Sequence, residues 1–330
     1  MGRLFRWFAA LAVLAIIIAS GGGFFAYEMF RQSGPSEIEQ TLVIPNGHRI
    51  GTVAEMLRRT GIISHEIVLR IGARLYQPEF PLKAGEYSFP KGASARQVLD
   101  ILRHGKTVVR RLTVAEGLTT FDVLARLGAT EGLKGLAPQG LGEGQLLPET
   151  YHFSYGDARA DIVRRMRAAM TSAVERLWAA RVPDLPLNSP AEALILASII
   201  EKETGLAEER ARVASVFINR LRAGMRLQSD PTVVYALTHG QGKLGRRLTR
   251  TDLRDQSLYN TYVHKGLPPG PIANPGIAAI AAALNPARSG DLYFVADGSG
   301  GHVFARTLAA HNRNVRRWRK LQKARKDVPA

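Results

Sequence analysis

The chain has 330 residues, of which 45% are hydrophobic, and it carries a formal net charge of +17 and no cysteine. This length and apolar content allow a sizeable core and suggest two domains. The lack of cysteine excludes disulfides, thiolate metal sites and a cysteine nucleophile. The eight histidines include no pair with the HExxH spacing, so we expect no metal ion and no other cofactor.

Much of the positive charge lies near the C-terminus, where eight Arg and Lys residues fall between positions 313 and 326. A basic surface fits nucleic acid, anionic lipid head groups or an anionic cell wall. The chain has no zinc-finger or RNP-type motif, which disfavours nucleic acid. We therefore expect a solvated basic helix at this end and no nucleic-acid partner.

The first thirty residues contain an uncharged stretch of 21 residues, Trp7 to Tyr27, and a bilayer core requires about 20. Two arginines precede it, so the positive-inside tendency places a tail at 1–6 in the cytoplasm and the remaining chain outside. The alternative is a cleaved signal peptide, but the small-residue cleavage pattern is poor. We predict an uncleaved transmembrane helix over 7–27, followed by a short linker at 32–36.

A local pattern recurs three times after the anchor. A glycine follows a short apolar stretch, and apolar residues stand six and ten positions beyond it, as in Gly47, Val53 and Leu57, then Gly92, Val98 and Leu102, then Gly117, Val123 and Leu127. The pattern predicts a strand, a glycine turn and an amphipathic helix. Such units resemble LysM-like glycan-binding modules, and a compact spacer is the alternative. We assign residues 40–109 to a small LysM-like module.

The segment from Ser189 to Gly205 shows clear helix signals. Ser189, Pro190 and Glu192 form a predicted capping box with proline in the first turn. The following residues are apolar on all sides, which is typical of a buried helix. Gly205 is the expected stop.

Two carboxyl groups, Glu201 and Glu203, lie at the end of this helix. Apolar surroundings and the negative end of the helix dipole both raise the pKa of a carboxyl group. Because Glu203 continues the more apolar stripe, it is the better candidate for a general acid near neutral pH. The alternative is that both glutamates end the helix in solvent.

Several long segments, in this order, resemble the endolytic murein transglycosylases, the YceG-like family. They are Leu196–Thr204, Val213–Leu221, Gly224–Val233, Tyr259–Tyr262, Gly266–Ile272, Leu292–Gly298 and Gly301–Phe304. Upstream, Leu147–Tyr151 also resembles a family segment, although Glu149 stands where that segment usually has Asp. The region 130–145 matches least.

The resemblance implies an α+β fold in which the LysM-like module precedes a lysozyme-like catalytic domain with added β-strands, at 110–330. It assigns the catalytic role to Glu203, the glutamate directly before Thr. It also implies non-hydrolytic cleavage of the MurNAc–GlcNAc bond of peptidoglycan strands to 1,6-anhydroMurNAc ends, terminating nascent glycan elongation. The expected location is the inner membrane with a periplasmic catalytic domain, and the expected partners are glycan strands and peptidoglycan synthases of elongation or division.

Five further residues are candidates for substrate binding or support: Glu201, Gln228, Asp230, Asn260 and Tyr262. Amide and phenol groups suit sugar hydroxyls and N-acetyl groups, and loop hydrogen bonding is the alternative for each. If Asp230 acts as a second catalytic carboxylate, the chain is a hydrolytic muramidase. A membrane-anchored glycan-binding scaffold without catalysis is the remaining alternative.

Overall fold

The computed structural model describes residues 2–326. Residue 1 and residues 327–330, the ends of the predicted segments 1–6 and 110–330, lie outside the described residues. The α-helices are α1 (Gly2–Arg31), α2 (Ile50–Arg59), α3 (Glu66–Leu75), α4 (Ala95–His104), α5 (Thr120–Ala129), α6 (Arg159–Ala179), α7 (Pro190–Glu203), α8 (Ala207–Arg222), α9 (Asp230–Thr238), α10 (Ile277–Leu284) and α11 (Leu308–Lys326). The strands are β1 (Gln40–Ile44), β2 (Gly85–Phe89), β3 (Val109–Thr113), β4 (Thr150–Ser154), β5 (Tyr293–Ala296) and β6 (His302–Ala305).

The strands form three two-stranded sheets, β1–β2, β3–β4 and β5–β6. The mixed α+β class expected from the sequence is confirmed. The chain divides into two compact units. Unit 1 contains the residues up to Arg110 together with His152–Asp157, and unit 2 contains Arg111–Tyr151 and the residues from Ala158 onward. Residues 152–157 thus return to unit 1, which a single boundary in the sequence does not predict.

Among the described helices, α1 is long and apolar enough to cross a membrane, over Arg6–Arg31. Its last turn belongs to the core of unit 1. The Phe30 side chain is 7% exposed, and its ring lies edge-on to Tyr76 at 5.7 Å between centroids. The helix therefore ends inside the folded unit.

The segment 32–36 joins α1 to the rest of unit 1 as a short linker, and it is packed against its neighbours. The Gly34 N–H donates to the Gly92 carbonyl at 3.2 Å, and the Gly92 N–H donates to the Ser36 carbonyl at 2.9 Å. A Cβ added at Gly34 would lie only 2.4 Å from the Ala93 carbonyl oxygen. Backbone pairing and close packing thus fix this segment against unit 1.

The threefold strand–turn–helix pattern is confirmed. Helices α2, α4 and α5 have ten residues each, and the preceding Gly47, Gly92 and Gly117 have φ of 80°, 65° and 73°, a conformation that favours glycine. The predicted apolar positions are fully buried in all three helices. The first two strands, β1 and β2, pair antiparallel, whereas the third, β3, pairs with β4.

Unit 2 is organised around α7, which packs against α6, α8, α9 and α10. Leu196, Ile199 and Ile200 are fully buried, as expected of a helix that is apolar on all sides. The one buried hydroxyl of this helix, on Ser198, donates to the Ile195 carbonyl at 2.7 Å and accepts from the Ile272 N–H at 3.0 Å. The core thus surrounds α7 on all sides along its length. The C-terminal end of the helix lies at the candidate active site described below.

The cap of α7 forms in part as predicted. Ser189 Oγ accepts the Glu192 N–H at 3.2 Å, but the Glu192 carboxylate accepts the N–H of Asn188 at 2.7 Å instead of that of Ser189. At the other end Thr204 is extended, with φ of −144°, so the helix ends at Glu203, before Gly205.

Replacing Ser189 by alanine should lower the free energy of unfolding by about 1 kcal/mol, because the Glu192 N–H loses its acceptor. Urea unfolding followed by circular dichroism measures this change. Ser172→Ala, at an exposed position of α6, is the matched control and should change the value by less than about 0.5 kcal/mol. Equal midpoints for both variants would contradict a capping role for Ser189.

A hairpin with a glycine-containing turn lies near the C-terminus. Strands β5 and β6 pair antiparallel, with Phe294 opposite Phe304. The turn contains Gly298 and Gly300, whose φ values are 94° and 106°, a region that residues with a Cβ rarely adopt. This hairpin packs on α8 and α11 and so forms one wall of the site described next.

Candidate active site

Glu203, the last residue of α7, lines a cleft of about 500 Å³ in unit 2. Helix α8 contributes Arg220 to this cleft, the loop before α9 contributes Gln228, strand β5 contributes Tyr293, and α11 contributes His311. The side chain of Glu203 is partly exposed to the cleft. The buried helix therefore delivers a carboxyl group to a concave surface.

Ionisation of Glu203 is strongly perturbed. Burial raises the pKa of its carboxyl group from 4.5 to about 7, and the nearby Asp230 contributes in the same direction. The hydrogen bond from Ser229 and the charges of His302 and Arg220 oppose this increase. Near neutral pH a substantial fraction of Glu203 is therefore protonated and able to donate a proton.

One oxygen of the Glu203 carboxyl group is held by the protein. Ser229 Oγ donates to Oε1 at 2.5 Å, and Ser229 is 1% exposed. Two buried threonines fix Ser229 in turn: its N–H donates to Thr261 Oγ1 at 3.0 Å, and Thr232 Oγ1 donates to its carbonyl at 2.7 Å. Oε1 is thereby oriented, and Oε2 has no hydrogen-bond partner in the described part of the chain.

Three of the other predicted residues, Gln228, Asp230 and Tyr262, lie in the same cleft. The Tyr262 hydroxyl donates to Asp230 Oδ1 at 2.6 Å, and burial together with this carboxylate raises the pKa of Tyr262. Gln228 is exposed and has a left-handed φ of 51°, which is costly for a residue with a Cβ. The sequence thus predicted four of the residues that meet in the cleft.

The remaining two candidates do not line this cleft. Asn260 is fully buried: its Nδ2 donates to the Asp255 carbonyl at 2.7 Å, and its Oδ1 accepts the Tyr262 N–H at 2.9 Å. Glu201 accepts the Gly276 N–H at 2.9 Å, and burial raises its pKa. The geometry fits a supporting role for each residue rather than contact with substrate.

Arg220 was not predicted as a site residue. It is 7% exposed, and its Nε and Nη1 donate to the carbonyls of Leu292 and Leu227, both at 2.7 Å. A signal was present in the sequence, because Arg220 continues the buried stripe of Val216 and Phe217 on α8. A charged residue on an apolar stripe requires polar partners or a function.

The basic C-terminal helix α11 is exposed to solvent on one face and lines the cleft with the other. Its charged residues from Arg313 to Arg319 are exposed, as predicted. On its other face, His311 stacks on the ring of Tyr293 with centroids 5.1 Å apart and planes 25° apart. Burial and the charge of Arg220 lower the pKa of His311, so its imidazole is neutral at pH 7.

Within residues 2–326, no group of three or more His, Asp and Glu side chains is arranged as a metal site. The cleft holds two carboxyl groups: Glu203, and Asp230, whose Oδ1 accepts the Tyr262 hydroxyl. Such an arrangement can protonate a leaving oxygen in an acid-catalysed bond cleavage.

Comparison with known proteins identifies one matching family and several relatives that share one name. Residues 42–317 match the model of the YceG-like family. Two proteins named endolytic murein transglycosylase, from Streptococcus pneumoniae strains D39 and R6, are each 30% identical over 359 residues, covering 92% of this chain. A protein of the same name from Bacillus subtilis strain 168 is 32% identical over 304 residues and covers 82% of each chain. The chain spans 63% of the length of the streptococcal relatives.

A solved structure is also similar. The crystal structure of a putative yceG-like protein from Listeria monocytogenes superposes with a TM-score of 0.53 and 31% sequence identity, covering 84% of this chain and 99% of that one. The family match includes α7, the cleft residues and the β5–β6 hairpin. From these matches we conclude that the chain belongs to the YceG-like family.

Proposed function

We propose that this protein is a peptidoglycan lytic transglycosylase that cleaves the MurNAc–GlcNAc bond within glycan strands and leaves 1,6-anhydroMurNAc ends. The observation that carries the proposal is the position of Glu203 in the cleft, with a pKa raised by burial to about 7. The names of the streptococcal and Bacillus relatives support the choice of substrate and reaction.

In the proposed reaction Glu203 acts twice. Its protonated Oε2 first gives a proton to the glycosidic oxygen, and the bond from that oxygen to C1 of MurNAc breaks. The resulting carboxylate then takes the proton of the C6 hydroxyl, whose oxygen bonds to C1 and closes the anhydro ring. One carboxyl group suffices because the nucleophile is part of the substrate, and no water is consumed.

A hydrolytic muramidase is the alternative within the same cleft. In that reaction Asp230 would serve as a second catalytic carboxylate, and water would reach C1. The phenol of Tyr262 holds Oδ1 of Asp230 and leaves Oδ2 open, so the names of the relatives are what favour the transglycosylase over the muramidase. In our proposal Asp230 instead supports the reaction, because its charge raises the pKa of Glu203 and favours the positive charge that develops on the sugar.

The product ends test this proposal. Purified peptidoglycan digested with the full-length protein should release fragments one water lighter than those with reducing MurNAc ends, as measured by mass spectrometry. Asp230→Asn should retain the anhydro product and lose less activity than a variant without Glu203. Reducing ends from the wild-type protein, abolished by Asp230→Asn, would establish the muramidase instead. A wild-type protein that binds peptidoglycan without cleaving it would leave only the scaffold role.

The remaining assignments are proposals of the same kind. We propose that residues 40–109 form a LysM-like glycan-contacting module and that residues 110–330 form a lysozyme-like catalytic domain with added strands. We propose that α1 crosses the inner membrane with the N-terminus in the cytoplasm and the catalytic domain in the periplasm. Cleavage near the membrane would suit termination of nascent strands beside peptidoglycan synthases. The apolar helix α1 supports the anchor, and the family match supports the rest.

A further inference from the structure

Arg220 is a buried cation with part of its guanidinium group unused. Its Nε and Nη1 donate to backbone carbonyls, and Nη2 makes no hydrogen bond in the described part of the chain. The residue lines the cleft together with Glu203. Nη2 is not enclosed by protein atoms, so it is available in the cleft to donate to an acceptor on a ligand.

Aromatic and apolar side chains lie beside Arg220 in the cleft, together with polar residues such as Gln228 and Asn312. Its Cζ lies 5.2 Å from the centroid of the Tyr293 ring, and Leu227 and Phe294 also line this part of the cleft. A carboxylate acceptor, Asp230, lies in the same cleft. The wall thus offers one strong donor, apolar surface for a small alkyl group, and an acceptor.

These features match the parts of an acetamido group, which has a carbonyl oxygen, a methyl group and an N–H. We propose that Arg220 is a specificity-determining residue whose Nη2 binds the carbonyl oxygen of a sugar 2-acetamido group, with the methyl group against the Tyr293 wall. The proposal rests on the proposed function in one respect, namely that the substrate is peptidoglycan. It does not depend on whether the product end is anhydro or reducing.

A purely structural role for Arg220 is the competing explanation. Its bonds to Leu227 and Leu292 join the loop after α8 to the start of the β5–β6 hairpin. That role requires donors toward these carbonyls, but it does not require the unpaired Nη2. A structural defect would also weaken the cleavage of every substrate equally, whereas a lost acetamido contact would weaken the cleavage of acetylated substrate alone.

The experiment compares the rate of cleavage of intact glycan strands with that of chemically de-N-acetylated strands. Cleaved bonds are counted whether the new end is anhydro or reducing. The wild-type protein should prefer the acetylated strands by about 10- to 100-fold in kcat/KM, the range expected for a hydrogen bond to a charged group. Arg220→Lys keeps the positive charge near Glu203 but loses the planar guanidinium group, which can donate from Nε, Nη1 and Nη2 at once. It should reduce this preference to a few-fold, mainly by raising KM for acetylated strands.

The matched control is Arg222→Lys on the same helix, since Arg222 is exposed and donates to the Asp184 carbonyl at 2.9 Å. It should keep the full preference. A wild-type protein without preference would overturn the proposal, as would an Arg220→Lys variant that loses activity equally on both substrates. A reducing product end would overturn the proposed function and leave the measured preference intact.

A second measurement covers the case in which Arg220→Lys fails to fold. The Glu203→Gln protein, which should bind without cleaving, is crystallised with an N-acetylated peptidoglycan tetrasaccharide. An acetamido carbonyl oxygen within about 3.2 Å of Arg220 Nη2 supports the proposal. A sugar in the cleft whose acetamido groups all lie elsewhere overturns it.

Discussion

Glu203→Gln is expected to lower the rate of peptidoglycan cleavage by about 10²–10⁴-fold, the usual contribution of a general acid–base group. Glutamine keeps the size of the side chain, and its amide oxygen can still accept the Ser229 hydroxyl. It has no titratable proton to give to the glycosidic oxygen. The fold should therefore survive while the proton transfers are lost, and the release of soluble muropeptides measures the effect.

Glu201→Gln is the matched control, two residues away on the same helix. Glu201 does not line the cleft, and glutamine can still accept the N–H of Gly276. Its activity should remain within about tenfold of the wild-type value. A Glu203→Gln protein with wild-type activity would move the catalytic role to another carboxyl group, and an equal loss in both variants would indicate a shared structural cause.

The parts that the sequence predicted well depend on neighbours along the chain. The burial of α7 follows from residues one to four positions apart, which pattern analysis reads directly. The same holds for the three repeats, because each positive-φ glycine and each apolar pair lies within a dozen residues. The preference for Glu203 over Glu201 used helical periodicity together with the resemblance to the family motif, in which the glutamate stands directly before Thr. The structure then places Glu203 in the cleft and Glu201 against Gly276.

What the sequence did not predict depends on contacts between distant segments. Ser229 holds Glu203 from 26 positions away, and His311 reaches the cleft from a helix whose other face is basic and exposed. Likewise, the composition of 32–36 indicated a short linker but not the backbone pairing with Gly92 that fixes it. Asn260 looked suited to bind sugar, but its amide is used by the backbone of its own loop. Contacts between distant segments decided the first three cases, whereas the conformation of its own loop decided the role of Asn260.

The same carboxyl group should make stability depend on pH. Because the folded-state pKa of Glu203 is raised from 4.5 to about 7, the folded protein binds this proton more tightly than the unfolded chain. The stabilisation by the proton is fully present below about pH 4.5 and is lost as the pH rises through about 7. Each pKa unit corresponds to about 1.4 kcal/mol, so Glu203 should reduce the free energy of unfolding by about 2–3 kcal/mol between pH 5 and pH 8.

Glu203→Gln should remove this dependence, since glutamine does not ionise. Relative to the wild-type protein, the variant should gain about 2–3 kcal/mol in the free energy of unfolding between pH 5 and pH 8. Urea unfolding of both proteins at the two pH values, in the same detergent, measures the difference. Glu175→Gln, at an exposed position of α6, makes the same change of charge and should shift the value by less than about 0.5 kcal/mol. Parallel pH dependences for wild type and Glu203→Gln would show that Glu203 ionises as an ordinary carboxyl group, and the proton donor at neutral pH would then have to be another residue.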